Sequence, residues 1–321
     1  MNELSSTRVY LYDGVGQPWF SVAGVRDHLA HWLPCLGIEL RGDPLARALL
    51  ETSEAASRRE AEPGPRNLPG AASCHPPAAS RREAEPGPRN LPGAASPHPA
   101  AASLAERLCQ LRILNPAQPL SERARRTLKP EADYELRLLA GTLRAAPGVP
   151  YDGVELQRIA LGLLPAAESR QEIIHIWFTE RLLATWDEDD RRYHARVSVF
   201  GFPSILSTAG MVQALARERQ YYLARRLGVG AEDALQAAGD CLGCDDPRAT
   251  EVAKGYAMQA VFYALTGEPF CDQPTCRLYN AHWQREMLAA QLGGGDYCRR
   301  HRELLAAWQA EVRDRSEGVT R

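Results

Sequence analysis

Hydrophobic positions change period several times along the chain, and each change marks an element. "RVYLYD" reads as a short strand. "SVAGVRDHLAHWLPCLG" carries apolar residues at helical spacing, with Ser21 placed to cap the first turn. "IELRG" reads as a second strand. "DPLARALLETSEAA" opens as a helix, with Asp43 at the cap and Pro44 just inside it. After residue 102 the pattern resumes. "SLAERLCQLRI" is helical, and "PLSERARRTLKPEADYELRLLAGTLRA" combines a charged loop with an amphipathic helix. "QEIIHIWFT" is the plainest buried strand, and "ERLLATWDEDDRRYHARVSVFGFP" reads as strand, acidic turn, strand. "SILSTAGMV" is predicted to be extended. "RERQYYLARRLG", "AEDALQAAG", "NAHWQREMLAAQL" and "CRRHRELLAAWQAEVRDR" are predicted helices. The longest is "DDPRATEVAKGYAMQAVFYALTG", with Asp246 at its start, Pro247 just inside and Gly267 at its end. These elements predict a mixed α/β (α+β) fold, a main sheet packed against helices.

One stretch breaks the pattern. "ASRREAEPGPRNLPGAAS" fills 56–73 and recurs unchanged at 79–96. Proline and glycine interrupt both regular periods there, and too few large apolar residues are present to offset ordering entropy. Residues 52–102 are therefore expected to form a disordered insertion. Residues 1–51 are then a β-α-β portion of the domain that continues over 103–321, because fifty residues bury little core alone.

Composition narrows the function. The 321 residues are 45% hydrophobic and 24% charged, with net charge −2. That balance gives no basic field for nucleic acid or anionic lipid, so neither is an expected partner. No apolar run spans a bilayer, and "MNELSSTRVYLYDG" has no apolar leader, so a cytoplasmic location is expected. In that setting the eight cysteines are expected to be reduced thiols rather than disulfides. Cys35, Cys74 and Cys109 have no partner pattern.

Four residues carry a recognisable chemistry. Cys271-x4-Cys276 and Cys298-x2-His301 offer three thiolates and one imidazole, the donor set of a closed tetrahedral zinc site. One structural zinc ion is expected there. Arg277, Arg299, Arg300 and Arg302 are placed in sequence to balance its thiolates. Four protein ligands leave no position for water, so this site predicts a folding role; three ordinary thiols and a helical histidine are the alternative. Cys241-Leu-Gly-Cys244 reads as a loop thiol pair. The acids at 187–190 beside His194 read as a solvated hairpin tip. His282 and Glu286 share a helix face, which fits a surface ion pair or a contact supporting the neighbouring zinc. No Walker loop, dinucleotide fingerprint, Gly-x-Ser-x-Gly or His-Glu-x-x-His occurs.

Anchored on Cys271, the C-terminal half resembles the archaemetzincins, metalloproteases whose catalytic helix bears His-Glu-x-x-His-x-x-Gly-x-x-His followed directly by cysteine. The helix "AVFYALTGEPFC" falls in register, with Gly267 at the glycine position. Cys271 and Cys276 match the first structural-zinc pair, Leu278 stands where that family has methionine, Cys298 matches after a longer spacer, and His301 replaces the last cysteine. The stretches "LLATWDEDDRRYHARVSVFGFPSI" and "KGYAMQAVFYALTGEPFC" are similar to a further family labelled as metallopeptidases. The resemblance covers roughly 170–305 plus "VYLYD", and it implies a metzincin-like (zincin-like) mixed sheet with a C-terminal structural zinc clamp. It also implies a loss. The catalytic histidines fall on Ala260, Ala264 and Phe270, and the general base falls on Val261. Alanines at 253, 257, 260 and 264 form a stripe expected to pack closely where metal and histidines would sit. The expectation is a non-catalytic zinc-binding protein whose old cleft binds a peptide or protein along an edge strand near "SILSTAGMV". The alternative is a divergent metallopeptidase with relocated ligands drawn from His175, His194, His282 and the acids at 187–190.

Overall fold

The computed structural model describes residues 7–51, 99–122, 126–170, 172–230, 233–234 and 240–318. The duplicated segment and most of the expected 52–102 insertion lie outside the described residues. So does most of the helix expected at "AEDALQAAG". Residues 99–102, assigned from sequence to the insertion, instead open a helix.

Five strands form the main sheet in the order β2 (Gly37–Gly42), β1 (Arg8–Gly14), β4 (Ile173–Thr179), β8 (Ser204–Ser207), β7 (Ser198–Val199). All pairings are parallel except that of β7 with β8. A smaller sheet holds β3 (Pro150–Asp152), β5 (Leu182–Asp187) and β6 (Arg192–Arg196), the last two forming the hairpin expected from the acidic turn. At its tip Asp187 accepts the amides of Asp189 and Asp190, which holds its carboxyl below the usual range.

Alternation along the strands divides the core in two. Val9 pairs with Ile174 and Leu11 with Ile176, so these side chains share a face. They pack with Phe178, with Val25 and Leu29 of α1 (Val22–Trp32), and with Val252, Ala253 and Ala257 of the long helix α7 (Arg248–Thr266). Tyr10, Tyr12 and Trp177 point to the other face. There they meet α2 (Pro99–Gln110), α3 (Lys129–Leu139) and α4 (Gly153–Leu163) through Leu108, Leu139 and Leu156. Burial on both faces explains why β4 reads as a continuous apolar run.

The caps follow the sequence. The Ser21 hydroxyl accepts the Gly24 amide, and the Asp43 carboxylate accepts the Leu45 amide at the head of a helix over 44–51. α5 (Thr208–Gln213), α6 (Arg219–Arg226) and α7 (Arg248–Thr266) follow the main sheet. Asp246 accepts the Arg248 amide, and Gly267 closes α7 at φ 78°.

Three expectations are corrected. "SILSTAGMV" is extended only to Ser207, whose hydroxyl accepts the Gly210 amide and starts α5. Gly210 permits that turn, since a Cβ there would lie 2.3 Å from the Arg196 carbonyl oxygen. β8 is therefore an inner strand, and the edge beside it is the two-residue β7. "NAHWQREMLAAQL" becomes helical only at α8 (Gln284–Leu288) and then widens into a π turn over Ala289–Gly293. Ala253, Ala257 and Ala260 are buried as the stripe predicts, but Ala264 is exposed, because α7 outruns the sheet near its C-terminus.

A buried histidine, His175, and a half-buried one, His28, couple this packing to pH. His175 bridges the Tyr12 hydroxyl (2.8 Å) and the Glu168 carbonyl (3.0 Å). His28 meets the Tyr297 hydroxyl at 2.9 Å. Burial lowers both, His28 to about 3, with the nearby Arg277 charge adding to its shift. The folded state keeps them neutral while the unfolded chain protonates them, so their stabilisation is complete above the unfolded value of 6.5 and is lost as pH falls toward the folded values. Urea midpoints should therefore drop below about pH 6, with each histidine contributing a slope of about 1.4 kcal/mol per pH unit. His28→Gln should flatten the profile by about one such slope. An unchanged profile would show that His28 is not held neutral.

Candidate metal centre

The C-terminus of α7 delivers the first pair of thiols. After Gly267 turns the chain, the Cys271 amide donates to the Leu278 carbonyl (2.8 Å) and the Cys276 amide to the Gln273 carbonyl (3.0 Å), closing a tight knuckle. The second pair comes from α9 (Arg299–Gly318), which places Cys298 immediately before its first residue and His301 one turn in. Cys276 and Asp296 form a bridge that joins the two pieces.

The four ligand atoms converge, all lying within 4.8 Å of one another. Cys271 Sγ is 3.9 Å from Cys298 Sγ, and His301 Nδ1 is 3.7 Å from Cys276 Sγ and 3.1 Å from Cys298 Sγ. A tetrahedron with metal–sulfur bonds of about 2.3 Å and a metal–nitrogen bond of about 2.0 Å has edges of about 3.5–3.8 Å. The donor set therefore fits a single metal ion. Backbone amides also aim at the sulfurs, with Gln273 N 3.4 Å from Cys271 Sγ and Cys298 N 3.4 Å from Cys276 Sγ, contacts that favour thiolate.

Burial opposes thiolate in the absence of a cation. It pushes the Cys276 thiol up to about 12 and raises Cys271 as well. Burial, with the adjacent Arg300 charge, lowers His301, keeping its imidazole neutral and able to ligate. A divalent cation at this point would reverse the balance for the thiols.

The arginines expected to balance the sulfurs have other partners. Arg277 is buried, forms an ion pair with Glu251 of α7, and donates through Nε to the Gly295 carbonyl at 2.6 Å. Arg299 pairs with Glu303 (2.7 Å), Arg302 with Asp296 (3.0 Å) and Arg300 with Glu268 (3.6 Å). Arg277 thus braces the knuckle against α7, a role that spacing alone could not reveal because Glu251 is remote in sequence.

The other candidate ligands do not assemble. His175 is enclosed in the second core, His194 faces Asp190 at 2.8 Å on the hairpin, and His282 sits at the rim of a separate cleft. Glu286 accepts the backbone amides of His282 and Trp283, so it caps α8 rather than pairing with the imidazole. Cys241 is half-buried beside Arg217, whereas Cys244 is exposed beside Asp245. Among the described residues, the C-terminal quartet is the one group of three or more side chains that could hold a metal ion. Cys35 and Cys109 form no disulfide among the described residues, and Cys74 lies outside them.

The cleft has a volume of about 340 Å³ and lies between the end of β6, β7 and α7. Tyr256, Gln259, Phe270, Tyr279 and His282 line it. Gln259 is fully buried; its amide nitrogen donates to the Tyr279 carbonyl (3.2 Å), and its Oε1 has no hydrogen-bond partner. Nothing in the apolar run "AMQAVF" marks that glutamine as a cleft residue. Ala260 and Val261 are fully buried, while Phe270 is 42% exposed and packs edge-on against Phe200.

A mixed α/β fold and a C-terminal Cys₃His cluster suited to a metal ion now stand together. A family described as "Probable metallopeptidase family (DUF6775)" matches residues 96–308, most of the chain, and this protein belongs to that family. No curated protein and no solved structure matches the chain. Among the described residues no helix is long and apolar enough to cross a membrane.

Proposed function

We propose that this protein is a metzincin-like member of its metallopeptidase family that has given up hydrolysis. A zinc ion held by Cys271, Cys276, Cys298 and His301 stabilises the fold, and the cleft beside α7 receives an extended peptide. The convergence of three thiols and an imidazole on one point carries this reading, since four protein ligands close the coordination sphere and leave no place for a reacting water. Support for the loss of catalysis comes from Ala260, Val261, Ala264 and Phe270, none of which can ligate a metal or take a proton. The cleft beside β7, lined by Tyr256, Gln259, Phe270, Tyr279 and His282, supports peptide binding, because it joins aromatic surface to polar groups.

Metal analysis of the purified chain tests the reading together with a peptide-cleavage screen. About one zinc per chain and no cleavage are expected. Two metals per chain with cleavage would establish the hydrolase alternative. A chain that binds no zinc would remove the basis of the proposal.

A further inference from the structure

The exposed edge of the main sheet opposite β7 is β2, and its sequence is self-complementary. We propose that β2 pairs with β2 of a second copy, antiparallel about a two-fold axis at Leu40, joining two five-stranded sheets into one. An edge strand presents unpaired backbone groups, and protein edges usually carry a proline, a bulge or charged side chains, lysine above all, that block pairing. β2 has no proline, bulge or lysine, and its two charges are of opposite sign: it is a regular six-residue strand, Gly-Ile-Glu-Leu-Arg-Gly, in unbroken register with β1.

Its side chains also specify the partner. Leu40 pairs with Leu11 on the face shared with α1 and remains 40% exposed, so the apolar row of the sheet continues to the edge without cover. Glu39 and Arg41 lie on the opposite face, beside Tyr10 and Tyr12. Arg41 bonds Glu168 at 3.0 Å and Glu39 at 3.2 Å and stacks 3.9 Å over the Tyr10 ring of β1, so its guanidinium lies on the same face as Glu39.

A two-fold axis normal to the sheet preserves faces, so residues opposite one another must share parity. Centring on Leu40 sets Leu40 against its symmetry mate and places Glu39 opposite Arg41 of the second copy, twice. Sliding the pair to the neighbouring allowed registers sets Glu39 against Glu39, or Arg41 against Arg41. Opposite charges across a strand pair stabilise and like charges destabilise, so the charge pattern selects one register of the three. The glycines at both ends add no bulk to the seam; a Cβ on Gly42 would meet nothing within 4 Å.

Sedimentation equilibrium over about 1–200 µM protein is the test, with thermal melts to confirm folding. The native chain should dimerise. Leu40→Lys, at an exposed position, should stay folded and become monomeric. Arg41→Glu and Glu39→Arg should each be monomeric alone, because each sets like charges in opposition, and an equimolar mixture of the two should form a heterodimer. A native chain that stays monomeric throughout the range would overturn the proposal. So would a dimer that Leu40→Lys leaves intact, or folded single variants that fail to associate when mixed.

Discussion

Cys276→Ser is expected to release the metal and cost at least ~4 kcal/mol of stability, since binding at structural zinc sites of this donor type contributes roughly 10–16 kcal/mol in isolated peptides. Cys276 is fully buried between the knuckle and α9, and its sulfur accepts the Cys298 amide. Its loss removes one metal ligand and the contact joining residues 271–279 to 296–301. Zinc content and thermal unfolding of the purified variant check the expectation. Cys35→Ser is the control, a half-buried thiol outside the quartet whose replacement should cost less than ~1 kcal/mol. If Cys276→Ser kept its zinc and melted like the control, the clamp would have no structural role.

Glu135→Ala is expected to destabilise the second core by about 3–5 kcal/mol. Glu135 is completely buried on α3. Its carboxylate accepts the Tyr151 hydroxyl at 2.7 Å and Arg181 Nη2 at 3.2 Å. Arg181 is itself buried, and its Nε already lacks a hydrogen-bond partner, so deleting the carboxylate removes its hydrogen-bonded counter-charge and leaves only the more distant Asp43. Burial and the Glu135 charge both raise the Tyr151 hydroxyl, so this phenol stays protonated and donating. The double variant Glu135→Leu/Arg181→Met removes both charges and should recover stability to within ~1 kcal/mol of the native chain. Denaturant titration of the two variants distinguishes a stranded charge from a simple packing loss: if the double variant were no better than Glu135→Ala, the ion pair would not be the source of the cost.

The Glu135–Arg181 pair was not legible in the sequence. Glu135 sits in the amphipathic run "EADYELRLL" and Arg181 at the turn between two strands; no short spacing ties one to the other. Only the folding of α3 over β3 and β5 brings them together. The metal quartet was legible because its information is local. Cys271 and Cys276 lie in one loop, Cys298 and His301 on one helical turn, and thiols in such spacing have few other uses. The same locality made the caps at Ser21, Asp43 and Gly267 readable, and the start of α7 to within a residue or two.

Elements whose form depends on remote partners were misread. "SILSTAGMV" is apolar enough for a strand throughout, but Ser207 finds its own cap and Gly210 lies against the Arg196 carbonyl, so the second half coils. The arginines around the quartet looked like counter-charges because sequence shows proximity along the chain and not direction; in the fold each turns to a carboxylate.

By itself, the sequence determined the strand and helix periods, the metal-ligand grammar of Cys271, Cys276, Cys298 and His301, and the lack of any His-Glu-x-x-His run. Those are properties of residue type and short spacing, fixed before any contact forms. Tertiary structure alone decided that the four ligands meet at one point, that Arg277 braces them through Glu251, that Gln259 is buried with its Oε1 unpartnered, and that β2 ends the sheet. Each of these depends on side chains far apart in sequence, brought together only when apolar burial on both faces of the sheet sets where α7, α9 and the outer strands lie.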